Sequence, residues 1–173
     1  MIAGGRKGSG NRPRTLQSCE RMFVLIVGCG RVGSAIAKAM LAEGNEVSVL
    51  DEDPEAIARL ERGQDKSWED LGGLYTVGTA LEMNALQEAG IERADAFVAS
   101  TDGDNTNLVV GQIAQRRFNV TRVVVRVLDP ARAGWYEEQG LSTVCPTQKA
   151  IEMVAAAVRE PQAPAEGAQV EAA

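Results

Sequence analysis

Two rhythms of apolar residues alternate along the chain. Met22-Phe23-Val24-Leu25-Ile26-Val27 is a short, continuously apolar run ending in glycine, the pattern of a strand buried on both faces. From Val32 to Glu43 the spacing turns helical, with Val32, Ile36, Ala39 and Met40 on one stripe, and it stops before Gly44-Asn45. Glu46 to Asp51 predicts a second strand, and Asp53-Pro54 a helix start with Asp as the cap and Pro in the first turn. Leu74 to Val77 predicts a third strand, and Leu81 to Ala89 a helix closed by Gly90. Ala96 to Ser100 is the fourth strand, followed by a helix over about 104–118. Arg122 to Val127 is the fifth, with a helix from Asp129 to Gln139 that Gly140 ends. A short sixth strand, Thr143 to Cys145, leads into a last apolar helix capped by Thr147 and running to about Arg159.

Strands that alternate with helices imply right-handed crossovers and a parallel sheet covered on both faces. Six of them predict an α/β fold, a Rossmann-type doubly wound parallel six-stranded sheet of order 3-2-1-4-5-6 in a single domain over 22–160. The flanks read differently. Residues 1–21 mix Gly4, Gly5, Gly8 and Gly10 with Arg6, Lys7, Arg12 and Arg14, and 161–173 are rich in Pro, Ala, Gln and Glu. Both are expected to be disordered tails, with the native start expected at Met22.

Composition narrows the chemistry. The formal net charge of −6 argues against generic nucleic-acid binding, which carries a basic surplus. No apolar run approaches the roughly 18 to 20 residues of a membrane span, and no apolar segment follows the basic start as in a secretory signal. A cytoplasmic location is therefore expected. Cys19, Cys29 and Cys145 form no CxxC pair, which speaks against a zinc site or a disulfide framework. Histidine is absent altogether, removing the commonest general base and most transition-metal sites. Asp51-Glu52-Asp53 could be read as a cation site, but ribose binding and helix capping explain two of its three members, and Asp102 and Asp104 lack the spacing of a calcium loop, so no metal is expected. No catalytic residue stands out.

The strongest motif is Gly28-Cys29-Gly30-Arg31-Val32-Gly33, which leaves a strand and enters a helix. Gly28 allows the tight turn, Gly30 lets a pyrophosphate approach the backbone, and Gly33 lets helix pack on sheet. The helix N-terminus offers free N–H groups and a positive dipole end to phosphate. Asp51 lies 18 residues beyond Gly33, close to the spacing of the carboxylate that binds a ribose diol. That carboxylate disfavours NADP, whose 2′-phosphate it would repel, but leaves NAD(H), ATP, ADP and AMP open. Ser100 and Thr101 end strand four at the switch point, where they either face the distal half of a ligand or cap the next helix, a role Asp104 fits better. Trp68 reads as a local packing anchor and Cys29 as a small buried residue of the turn.

Three segments carry a family resemblance: Val27 to Gly33, Asp51-Glu52-Asp53-Pro54, and Glu88-Ala89-Gly90-Ile91-Glu92-Arg93-Ala94-Asp95-Ala96. Together with Asp104-Asn105-Thr106-Asn107 and Val125-Arg126-Val127, they resemble the N-terminal nucleotide-binding (RCK, or TrkA-N) domain of Trk/Ktr-type potassium-uptake regulators. The resemblance spans Met22 to about Arg159. It implies a cytosolic regulatory subunit that binds NAD(H) or ATP/ADP, assembles as a homodimer or larger ring, and gates a membrane potassium transporter at the inner face of the plasma membrane.

Matched to that family, Gly28, Cys29, Gly30, Arg31, Val32 and Gly33 would form the phosphate loop, with Asp51 and Glu52 at the ribose. Thr79 and Ala80 would lie near the adenine, Ser100, Thr101 and Asn107 near the distal half, and Arg126 would face the site from the fifth strand. Thr79 departs from the acidic residue the family often carries there. The family's usual C-terminal ligand-binding domain is not evident, so regulation through it is expected to be absent or supplied by a separate chain. The alternative reading is an NAD-dependent oxidoreductase or its cofactor-binding part. Against it stand the missing substrate domain and the lack of His, Lys or Tyr placed as a proton donor beside strand four.

Overall fold

A computed structural model describes residues 21–160; the tails expected at 1–21 and 161–173 lie, Arg21 apart, outside the described residues. Six parallel strands form one sheet: β1 (Phe23–Val27), β2 (Glu46–Asp51), β3 (Leu74–Val77), β4 (Ala96–Ala99), β5 (Arg122–Arg126) and β6 (Ser142–Val144). Their order is β3-β2-β1-β4-β5-β6, the doubly wound arrangement that the sequence predicts. Helices α1 (Arg31–Ala42), α2 (Ala58–Glu61), α3 (Met83–Glu88), α4 (Asp104–Arg117), α5 (Pro130–Glu138) and α6 (Pro146–Arg159) connect or follow the strands.

The central strand shows why its sequence is apolar without alternation. Phe23, Leu25 and Val27 enter one hydrophobic cluster with Leu50, Phe97 and Val125, while Val24 and Ile26 enter another with Val47, Val49 and Trp68. Each face of β1 is thus covered by its own core, and period-two patterning disappears. Polar residues finish the strand's lower end: Asp95 accepts a 2.8 Å bond from the Phe23 N–H, and Asn45 accepts one from that of Met22 while donating to the Met40 carbonyl.

Several boundaries move by a residue or two, three local expectations change, and that for Trp68 holds. Asp53 does cap, accepting from the Glu55 N–H, but it opens a 3-10 turn over Pro54–Ile57 and then a single α turn rather than a full helix. Trp68 anchors the irregular stretch before β3: it is 1% exposed and its Nε1 donates to the Leu74 carbonyl. Asp104 is not the cap of α4; Gly103 holds that position, and the Asp104 carboxylate accepts from the N–H groups of Leu128 and Asp129 instead. Thr147 does not cap α6 either. Cys145 stands there, its Sγ accepting from the Gln148 N–H, and Pro146 fills the first helical position.

No residue of α6 is buried. Ile151, Val154 and Val158 recur at helical spacing and are 54%, 63% and 79% exposed, so α6 adds no buried layer to its own sheet.

Candidate functional site

At the C-terminal ends of β1 and β4 the crossovers leave in opposite directions, and a cleft of about 690 Å³ opens there. Its first wall is the turn from β1 into α1. Gly28 has φ +94°, a left-handed conformation that favours glycine, and a Cβ on it would sit 2.8 Å from the Thr101 nitrogen. A Cβ on Gly33 would lie 1.8 Å from the Gly28 carbonyl oxygen, so this glycine lets α1 approach the turn. Gly30 is the opposite case. Nothing lies within 4 Å of the corresponding point, which leaves an open cradle beside the helix start. Gly30 is also the N-cap of α1 with no side-chain cap, so the first-turn N–H groups remain available to an anion.

Asp51 closes the second wall. Its carboxylate accepts from the backbone N–H of Cys29 and, at 2.9 Å, from that of Asp53, tying the end of β2 to the glycine turn. Each oxygen keeps a further lone pair for a hydroxyl. Tyr75 braces the same corner, its hydroxyl donating to the Asp53 carbonyl at 2.7 Å. Burial, reinforced by the Asp51 charge, pushes the Tyr75 hydroxyl well above its ordinary pKa, so it stays a donor.

On the far side, Ser100 is buried and its one hydroxyl hydrogen is shared between the carbonyls of Val27 and Gly28, tying β4 to the glycine turn. Thr101 and Arg126 meet beside it, where Nη2 of Arg126 donates to the Thr101 carbonyl at 2.6 Å. The Nε of Arg126 is buried without a hydrogen-bond partner, an orphaned donor on the cleft wall.

The cleft gathers Gly28, Gly30, Arg31, Val32, Asp51, Glu52, Thr79, Ala80, Ser100, Thr101 and Arg126 from the residues picked out in the sequence. It does not gather Cys29, Gly33 or Asn107. Cys29 is fully buried, its Sγ bonded to the Ala56 carbonyl, and burial with the nearby Asp51 charge pushes its thiol up to about 11. Gly33 is used up in packing. Asn107 is also fully buried: Oδ1 accepts from the N–H and hydroxyl of Thr101, and Nδ2 donates to the carbonyls of Thr101 and Arg126. It fastens the ends of β4 and β5 from behind and has no group left for a ligand.

The sequence reading missed Asp53, Arg59, Leu81, Asp102 and Thr106, all of which line the cleft. Asp53 and Asp102 stand beside motif residues and were within reach. Arg59 carried no signal: it arrives from α2, and its Nη1 lies 3.5 Å from the Cys29 carbonyl. Among the described residues, no group of three or more His, Cys, Asp or Glu is disposed to hold a metal ion.

A doubly wound sheet, a glycine turn at its first strand, a carboxylate at its second and a cleft at the switch point define a Rossmann-type domain. Within that class, the chain belongs to the TrkA-N domain family, whose model matches residues 24–147. A Trk system potassium uptake protein TrkA of Streptomyces coelicolor is 41% identical over 123 residues, covering 71% of this chain and 52% of that protein. The chain thus spans about half the length of such curated relatives. The Kef CTD of Shewanella denitrificans, solved in an AMP-bound form, superposes with a TM-score of 0.63 at 24% identity, covering 79% of each chain. The GsuK channel bound to NAD gives 0.63 at 20% identity, covering 84% of this chain and 24% of the channel chain.

Proposed function

We propose that the cleft binds NAD(H) or an adenine nucleotide, and that the chain is a regulatory, non-enzymatic part of a potassium uptake or transport system. The observation that carries this reading is the pairing of the open Gly30 cradle at the α1 N-terminus with the Asp51 carboxylate across it. The cradle suits a phosphate and the carboxylate a ribose diol. Support from outside the chain comes from relatives named for potassium uptake, and from the AMP and NAD held by the Kef and GsuK structures.

In this reading the α1 N-terminus and Arg31 hold phosphate, Asp51 holds ribose, and Thr101 and Arg126 face the distal half of the ligand. Different nucleotides would stabilise different geometries of an assembled protein, and a membrane potassium transporter would feel the difference. The test is thermal and calorimetric titration of the chain with NAD, NADH, NADP, ATP, ADP and AMP. A ligand at a hundred times its Kd adds about 2.7 kcal/mol of stability, well within detection. Adenine nucleotides or NAD(H) should stabilise and NADP should not. No response to any of them would defeat the reading.

Arg31 sets a sharper expectation. Its side chain opens α1 on the cleft wall, where backbone N–H groups already suffice for a pyrophosphate. Arg31→Ala should therefore cut ATP affinity far more than NAD affinity, because ATP carries the additional phosphate charge. Equal losses for both would reduce Arg31 to a general phosphate contact.

Assembly gives a second. The stripe of Ile151, Val154 and Val158 is too apolar to stay in water, and we expect it to be buried between two copies of the chain. Truncation after Cys145 should convert a dimer into a monomer in sedimentation. A full chain that is already monomeric at high concentration would argue the opposite.

A further inference from the structure

Strand β3 forms one edge of the sheet, and its outer side has no neighbouring strand among the described residues. The Gly78 N–H donates to the Asp51 carbonyl at 2.9 Å, which fixes the alternation along β3. The main-chain groups of Thr76 therefore face β2, and those of Tyr75 and Val77 face outward. Among the described residues, no loop or turn bonds to these outward groups. Nor does the edge carry the usual guards. Leu74-Tyr75-Thr76-Val77 pairs with β2 without a bulge and contains neither lysine nor proline, so shortness is its only protection. Leu74 and Val77, 48% and 52% exposed, stand on opposite faces of the strand and leave apolar surface on both.

Charge decides what covers such an edge. From 63 to 88 the chain carries Asp65, Glu69, Asp70, Glu82 and Glu88 against Lys66 alone. All five acidic side chains are exposed, and none makes an ion pair among the described residues. A second copy pairing antiparallel through the same edge would bring its Glu82 towards Glu69 and Asp70, and like charges oppose that. A basic strand is drawn to the same rim. Cytoplasmic segments of membrane proteins carry an excess of Lys and Arg, which is the complementary charge. Building on the reading of the chain as a regulator in potassium transport, we propose that β3 receives a seventh strand from the membrane partner. The segment is extended, apolar in its middle and basic at its ends. Its main chain bonds to Tyr75 and Val77, its apolar residues cover Leu74 and Val77, and its cations meet the acidic rim.

The test uses the full chain and, as probe, the end-capped octapeptide Arg-Lys-Thr-Val-Thr-Val-Lys-Arg, with calorimetry and NMR-detected hydrogen exchange. The peptide should bind and slow exchange at the Tyr75 and Val77 amides, leaving Thr76 unchanged. The same peptide N-methylated at its four central residues cannot complete the ladder and should not bind, nor should one with glutamate at the basic positions. Glu69→Lys combined with Asp70→Lys should weaken the peptide at least about tenfold without altering ADP affinity. In cells, that double variant should lose the chain's effect on potassium uptake. No binding of the basic peptide, binding that survives N-methylation or the glutamate exchange, or wild-type uptake by the double variant would overturn the proposal. Slow exchange at Tyr75 and Val77 in the full chain without peptide would overturn it too, by placing another segment or copy of this chain on the edge. Failure of the transport reading itself would look different. Potassium uptake would then be unaltered by deletion of the chain while the peptide still bound, and the membrane origin of the strand would fall with it.

Discussion

Asp51→Ala is expected to lower affinity for ADP and NAD alike by roughly 10- to 150-fold, the equivalent of about 1.5 to 3 kcal/mol for charge-assisted hydrogen bonds to a ribose diol. The carboxylate has a second duty, because it also receives the N–H groups of Cys29 and Asp53. Its removal should thus loosen the glycine turn and reduce Tm even without ligand. Asp51→Asn separates the two duties. It keeps one acceptor oxygen, but its amide must present a donor towards one of the two N–H groups, so ligand binding and apo stability should both fall by an intermediate amount. Calorimetry gives the affinities and thermal unfolding the stability. Wild-type affinity in Asp51→Ala would remove this residue from the site.

Gly33→Ala and Gly30→Ala should diverge sharply although they place the same methyl group three residues apart. At Gly33 the new Cβ meets the Gly28 carbonyl oxygen at 1.8 Å and the Ser100 hydroxyl at 2.6 Å. Both belong to the framework, and Ser100 is already bonded to Val27 and Gly28, so neither can yield without moving α1 off the sheet. The cost should be at or above the top of the usual overpacking range, about 3 kcal/mol. A fall of roughly ten degrees in Tm is expected for a domain of this size. Gly30 has φ −71° and open space around it, so alanine there should cost less than about 1 kcal/mol, as for a changed N-cap. Its methyl group would instead fill the phosphate cradle and weaken nucleotide binding. A Gly33→Ala protein of normal Tm, or a Gly30→Ala protein of normal affinity, would contradict this account of the turn.

The strands and their order were legible because β1 to β4 adjoin glycine, asparagine or aspartate (Gly28, Asn45, Gly73, Gly78 and Asp95), and because strands that alternate with helices restrict a parallel sheet to few orders. The glycine turn was legible for a related reason: its three glycines do three separate jobs, and each job shows as a residue that tolerates no alternative or leaves open space. Hydrogen-bond partners were not. Ser100 follows the end of β4 and Asn107 lies in the first turn of α4, and nothing in their spacing distinguishes a side chain aimed at a ligand from one spent on the carbonyls of Arg126 or Gly28. The cap of α6 was missed because a thiol is a weak acceptor, and Thr147 offered the better chemistry one residue beyond Pro146. Arg59 was hidden for a different reason. The path of the chain after Pro54 tightens into a 3-10 turn, and only that path turns an arginine of α2 back over the glycine turn.

The unburied α6 has a mechanical consequence. Fourteen helical residues extend for about 21 Å, and the segment departs from β6 through the single junction at Cys145 and Pro146. Such a rod works as a pointer. A tilt of about 5° at the junction sweeps its far end by about 2 Å, an amplitude comparable to helix shifts that repack subunit interfaces. The Cys145 Sγ faces the carbonyl of Leu128, whose N–H is held by Asp104 at the start of α4. The pivot is therefore tied to the start of α4 through two side chains, and a small tilt at the junction would become a larger excursion at the far end of α6.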